Sequence, residues 1–165
     1  MPQTTKDLAM LFETLGAPDP QGWAQSEAEE GIPQLHRFLF LRQAWKKVVS
    51  ETDTDWPNRT ANLEEADSEV PFAGVSHALS GLLAKGATSE EIIDLVRGVQ
   101  AQFLLDICYL LEDPNLEEDD VEDVSWGLYK LDDEDQPVSA VSDLHESALE
   151  MDPTGREMMP RGTEL

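Results

Sequence analysis

The chain has 165 residues, with 35 Asp and Glu against 11 Lys and Arg and a formal net charge of −24 at pH 7. So negative a balance repels phosphate backbones and anionic lipid, which counts against direct nucleic-acid binding and membrane-surface binding. The longest apolar runs, such as Phe103-Leu104-Leu105, stop at charges far short of the ~20 residues of a membrane span, yet roughly a quarter of the residues are Leu, Ile, Val or Phe, enough for a folded core.

Residues Thr4 to Leu15 place Leu8, Leu11, Phe12 and Leu15 on one stripe of a helix, with Thr4 or Thr5 as its cap and Gly16 as its stop. Asp19-Pro20 reads as an N-cap followed by the first helical position of a short helix that contains Trp23 and ends at Gly31. From Pro33 to about Ser50 a third helix is expected, with Leu35, Phe38, Leu39, Trp45, Val48 and Val49 inward and Arg37, Arg42, Lys46 and Lys47 outward. Glu51 to Val70 reads as a long loop with one turn of helix. Pro71 then opens a helix with Val75, Leu79, Leu82 and Leu83 that closes at Gly86, and Thr88-Ser89-Glu90-Glu91 is a capping box for the next. That next helix, from the Thr88 cap to Glu112, keeps its apolar period from Ile92 to Leu111, spans about 36 Å at ~1.5 Å per residue, and is expected at the centre of a bundle.

Beyond Pro114 the pattern changes. Val124 to Leu131 is β-prone with alternating apolar positions, Asp132 to Pro137 reads as a turn, and Val138 to Val141 as a return strand. Asp143 is expected to cap a last helix through Leu144, Ala148 and Leu149 that ends at Pro153. The fold expected is therefore mainly α: a bundle of five to six helices around a long central helix, with a small C-terminal β-hairpin. It would form a single acidic domain over 1–152 with a tail over 153–165. The N-terminus shows neither the basic nor the long apolar region of a secretory signal, and the single Cys108 fits a reducing compartment, so a cytoplasmic location is expected.

Charge is concentrated. Between Glu112 and Asp135 twelve carboxylates meet one cation, Lys130. Such a density raises the local field and speeds encounter with a basic partner, which makes Glu117, Glu118, Asp119, Asp120, Glu122, Asp123, Asp132, Asp133, Glu134 and Asp135 the expected partner-binding residues. Trp56 joins them, because an aromatic between Asp55 and Pro57 in a polar loop has the character of a binding hot spot as well as of a loop anchor. Trp23, Trp45 and Trp126 lie beside apolar neighbours and are expected in the core.

Motifs for chemistry are missing from the sequence. The acidic runs lack the alternating ligands and mid-loop glycine of a calcium loop. His36, His77 and His145 stand in no metal-binding pattern, and Cys108, on an apolar helix, reads as an inert core thiol. Gly81 and Gly98 read as sites of close helix–helix approach. No cofactor, no metal and no enzymatic activity are expected.

The segments Trp126-Gly127-Leu128-Tyr129, Leu144-His145-Glu146 and Asp152-Pro153-Thr154-Gly155-Arg156-Glu157-Met158, with Gly31-Ile32-Pro33-Gln34-Leu35 near the N-terminus, resemble a family of small bacterial proteins of unknown function. The resemblance implies a bacterial source and a single helical domain, and brings no catalytic residue. The functional expectation is an acidic protein-binding module, an inhibitor or immunity protein that neutralises a basic partner such as a toxin. The alternatives are a DNA-mimic decoy, or an enzyme whose site is assembled from unmarked residues such as Asp106, His77 and His145.

Overall fold

The structure is a computed structural model and describes residues 4–62, 71–114, 116, 119–121 and 123–162. It is mainly helical, with a small antiparallel sheet near the C-terminus: α1 (Thr5–Leu15), α2 (Pro20–Glu30), α3 (Gln34–Trp45), α4 (Trp56–Ala61), α5 (Ala73–Ala84), α6 (Ser89–Glu112), β1 (Tyr129–Leu131), β2 (Pro137–Ala140) and α7 (Leu144–Ala148). The chain divides into two compact units, one of residues 1–45 and 103–165 and the other of 46–102.

In the first unit the local signals act as expected. The Thr4 side chain accepts the Asp7 N–H at 3.1 Å, and Gly16 ends α1 in the left-handed region at φ 80°. Asp19 accepts the Gly22 N–H at 3.0 Å ahead of Pro20, and Gly31 ends α2 at φ 74°. Helices α2 and α3 are joined by two side chains: Glu27 accepts the Leu35 N–H at 2.7 Å and Gln34 donates to Ser26 Oγ at 3.0 Å. A carboxylate from one helix thus satisfies an orphan donor at the start of the next. Phe12, Trp23 and Phe38, one from each of the three helices, meet edge to face with centroids 5.6–5.8 Å apart. Phe12 and Phe38 are fully buried, the geometry that aromatic quadrupoles favour.

Helix α3 also holds α7 at both ends. Arg37 Nε donates to the Asp143 carbonyl at 3.0 Å, with Nη2 donating to the same oxygen, and Trp45 Nε1 donates to the Ala148 carbonyl at 2.8 Å. Arg37 is therefore buried rather than outward as the helical pattern suggested, and its remaining contacts are Gln34 at 3.2 Å and Glu146 at 3.6 Å. A buried guanidinium is tolerable only when its donors are matched in this way. Asp143 precedes α7 but does not cap it through its side chain, which instead accepts from Ser142 Oγ. The capping carboxylate comes from the end of α6, where Glu112 accepts the His145 N–H at 3.2 Å. Leu144 and Ala148 are buried, as expected.

After α7 the chain winds around one buried carboxylate. Asp152 accepts from the Thr154 N–H (3.1 Å), Thr154 Oγ1 (2.6 Å) and the Met158 N–H (3.0 Å), and Arg156 Nη1 donates to the Met159 carbonyl at 2.6 Å. Gly155, Glu157 and Met158 all take positive φ in this turn.

In the second unit Trp56, Leu83, Ala87 and Val96 pack around Ala61, Leu79 and Ile92. The Thr88 capping box forms in full: the Thr88 N–H donates to Glu91 at 2.8 Å and the Glu91 N–H to Thr88 Oγ1 at 3.2 Å, which lowers the Glu91 carboxyl pKa below its ordinary value. Helix α3 ends at Trp45, earlier than expected, because the backbone that follows is bonded elsewhere. The Val49 N–H donates to Gln100 at 2.7 Å and Arg97 donates to the Val49 carbonyl at 2.9 Å. Of the apolar residues of α5, Leu79 is buried, while Val75 and Leu82 are 46% and 39% exposed. A Cβ at Gly81 or Gly98 would meet nothing within 4 Å, so close helix approach does not explain either glycine. Leu63 and the rest of 63–70 lie outside the described residues.

The long helix is present as 24 residues, Ser89–Glu112. Ile93, Ala101, Leu104 and Cys108 are buried along one side, while Leu95, Val99 and Phe103 are 62–64% exposed. The solvent-facing stripe is the finding that the unbroken apolar period of this segment did not reveal. Among the described residues no helix is long and apolar enough to cross a membrane.

Candidate partner-binding surface

The acidic segment begins at the end of α6, where the Trp126 Nε1 donor reaches back to the Leu110 carbonyl at 2.7 Å. That bond satisfies a helix-terminal acceptor and ties the segment to α6. It also places Trp126 at the surface, 43% exposed rather than in the core as expected, whereas Trp23 and Trp45 are buried. Asp119–Val121 forms a single 3-10 turn, and Asp120 and Asp123 are exposed. Glu117, Glu118 and Glu122 lie outside the described residues.

Asp132 to Asp135 form the turn between β1 and β2, and all four are exposed. Asp132 has a structural task there, because one of its oxygens accepts the N–H groups of both Glu134 (2.8 Å) and Gln136 (2.9 Å). Asp135 takes φ 59°, a conformation that aspartate tolerates better than most residues. The turn is thereby fixed, and Asp133, Glu134 and Asp135 project from it. Lys130, the one cation of the segment, is half-buried on β1, and its charge helps to hold the His36 pKa below its ordinary value, after burial as the larger cause and against the opposing field of Glu27.

Trp56 belongs to the second unit. It is half-buried against that unit's apolar cluster, and the carboxylates near it are engaged by Arg59, which bonds Asp53 at 2.8 and 2.6 Å and approaches Asp55 at 3.5 Å. The Arg59 bond holds the Asp53 carboxyl below the usual carboxylate range.

One cluster had no signal in the sequence. His145 Nδ1 lies 2.7 Å from Glu112 Oε2, and the His145 ring stacks on Tyr109 with centroids 4.5 Å apart. Leu144-His145-Glu146 was visible as a helical string, but its partner Glu112 is 33 residues away and was counted with the acidic run. Asp106 and His77 are exposed, His77 on α5 of the second unit. Cys108 is fully buried, and burial followed by the Glu112 charge pushes its thiol up to about 11, so it is protonated and unreactive at neutral pH. Among the described residues no group of three or more His, Cys, Asp or Glu side chains is placed to hold a metal ion.

No protein-family model, no curated protein and no solved structure matches the chain.

Proposed function

We propose that this protein is an acidic protein-binding module, an inhibitor or immunity protein that neutralises a basic partner such as a toxin. The observation that carries this reading is the charge of Glu112–Asp135, twelve carboxylates to one lysine, with Asp113, Asp120, Asp123 and Asp132 to Asp135 exposed. Fixed charge of one sign accelerates encounter with a partner of the other and rejects partners of the same sign. It contributes more to the association rate than to the lifetime of the complex. The reading goes with a cytoplasmic site of action.

An inhibitor of this kind is expected to be encoded beside its target. The test is to co-express the product of each flanking gene with this chain and measure association of any basic one as a function of salt. Reversing Asp120, Asp123, Asp133 and Glu134 to lysine is expected to slow association by about tenfold or more and to flatten its salt dependence. Unchanged kinetics in that variant would sink the reading. A complex that duplex DNA displaces would assign the carboxylates to phosphate mimicry instead.

A further inference from the structure

The β-hairpin leaves an apolar face in solvent, although Val141, just beyond β2, is buried. In the β1–β2 register Tyr129 pairs with Ala140, Lys130 with Ser139 and Leu131 with Pro137, and an irregularity between Lys130 and Leu131 sets Val138 beside Pro137. Paired residues share a face of the ribbon. One face therefore carries Tyr129, Leu131, Pro137, Val138 and Ala140 and is exposed throughout, whereas Lys130 and Ser139, on the other face, are half-buried. Tyr129, Leu131 and Val138 keep 49%, 50% and 60% of their surface in solvent. Half-solvated antiparallel strands normally direct their polar side chains outward. A contiguous apolar face in water is the observation that marks an interaction surface.

The face is also organised in advance. A Cβ on Gly127 would stand 3.2 Å from Tyr129 Cε2, so the ring lies close over the glycine backbone, where a larger side chain would displace it. The Asp132 bonds fix the adjoining turn. Ordering these groups before binding lowers the entropy lost on association.

We infer that this face docks a cationic polypeptide segment that carries apolar side chains, with its cations meeting Asp133, Glu134 and Asp135. The inference rests on the proposed function and gives it a location. Charge selects the occupant: a second copy would bring another −24 against the same acidic turn, whereas a basic segment neutralises it. The sheet has only two strands among the described residues, so an extended segment can also lie along a strand edge.

Two short peptides of equal charge test this on the full chain, one alternating lysine with valine and one alternating lysine with serine. The lysine–valine peptide is expected to bind about tenfold more tightly in calorimetry. The double variant Leu131→Ser/Val138→Ser should abolish that preference while leaving lysine–serine binding as it was. Gly127→Val, which displaces the Tyr129 ring, should reduce the preference independently and serves if the double variant loses its circular dichroism signal. Equal binding of the two peptides, or a preference that survives both variants, overturns the docking face and leaves the acidic-binding reading intact. Failure of both peptides to bind at low salt overturns both. A dimer in sedimentation that the double variant abolishes assigns the face to a second copy instead.

Discussion

The α1–α3 helices and the hairpin belong to the same unit and place their apolar residues in opposite ways. Phe12, Trp23 and Phe38 turn inward and meet ring to ring, while Tyr129, Leu131 and Val138 turn outward and leave Lys130 and Ser139 beneath them. Burial of apolar surface accounts for the first arrangement. It accounts for the second only in part, because Leu131 and Val138 keep half or more of their surface in solvent. Stability explains the helices and does not explain the hairpin's outer face, which is why that face is proposed as a docking surface.

The comparison breaks most directly at Phe38. Phe38→Ala, which leaves a cavity beneath two edge-to-face rings, is expected to cost about 3–5 kcal/mol in urea titrations. Leu131→Ser/Val138→Ser should stay within about 0.5 kcal/mol per site, as surface changes do. Comparable losses at the two places would mean that the hairpin face supports the fold after all. A second change asks whether the other non-helical part of the unit is anchored as firmly as the helices. Asp152 is buried and accepts three hydrogen bonds, so Asp152→Ala should cost about 1–3 kcal/mol by leaving those donors unmet; a neutral result would class 152–159 with the hairpin.

Gly98→Ala works in the opposite direction. The added methyl meets nothing within 4 Å inside a long helix, and a stabilisation of about 0.5–1 kcal/mol is expected in the same titration. A loss there would point to a close approach that the fold does not show.

The smallest effect links the two regions. His36 lies on α3, and Lys130, on the inner face of the hairpin, adds to burial in lowering its pKa. The unfolded chain, with the ordinary value near ~6.5, then binds more protons than the folded one, so this group's contribution to stability falls as pH drops through that value. His36→Gln should remove that contribution. The difference between wild type and variant in melting temperature is expected to move against the wild type from pH 7.5 to pH 5.5, and to shrink in Lys130→Gln. A difference independent of pH would separate His36 from the hairpin charge.

What could be read in the chain itself was local. Thr4 and Gly16, Asp19-Pro20 and the Thr88–Glu91 box mark helix ends because a cap bonds backbone two or three residues away, within reach of any sequence window. The hairpin was legible for the same reason, from its turn residues and β-prone flanks. The candidate surface was legible as a density of charge. Its turn was marked by Asp132 to Pro137, but nothing marked which face of the hairpin would be left in solvent.

The sequence by itself determined both ends of α1 and α2 and the start of α6, that a hairpin follows, and where the negative charge accumulates. Tertiary structure decided the rest. Arg37 reads as an outward cation until the Asp143 carbonyl, 106 residues away, is brought to it. Glu112 reads as one acid of many until it meets His145. Asp143 reads as a cap until its φ of 55° turns its side chain to Ser142. Strand periodicity states which side chains share a face, but which face is covered depends on what packs against it. That second choice, made by distant residues through burial and hydrogen bonding, put Lys130 inside and Tyr129, Leu131 and Val138 in water.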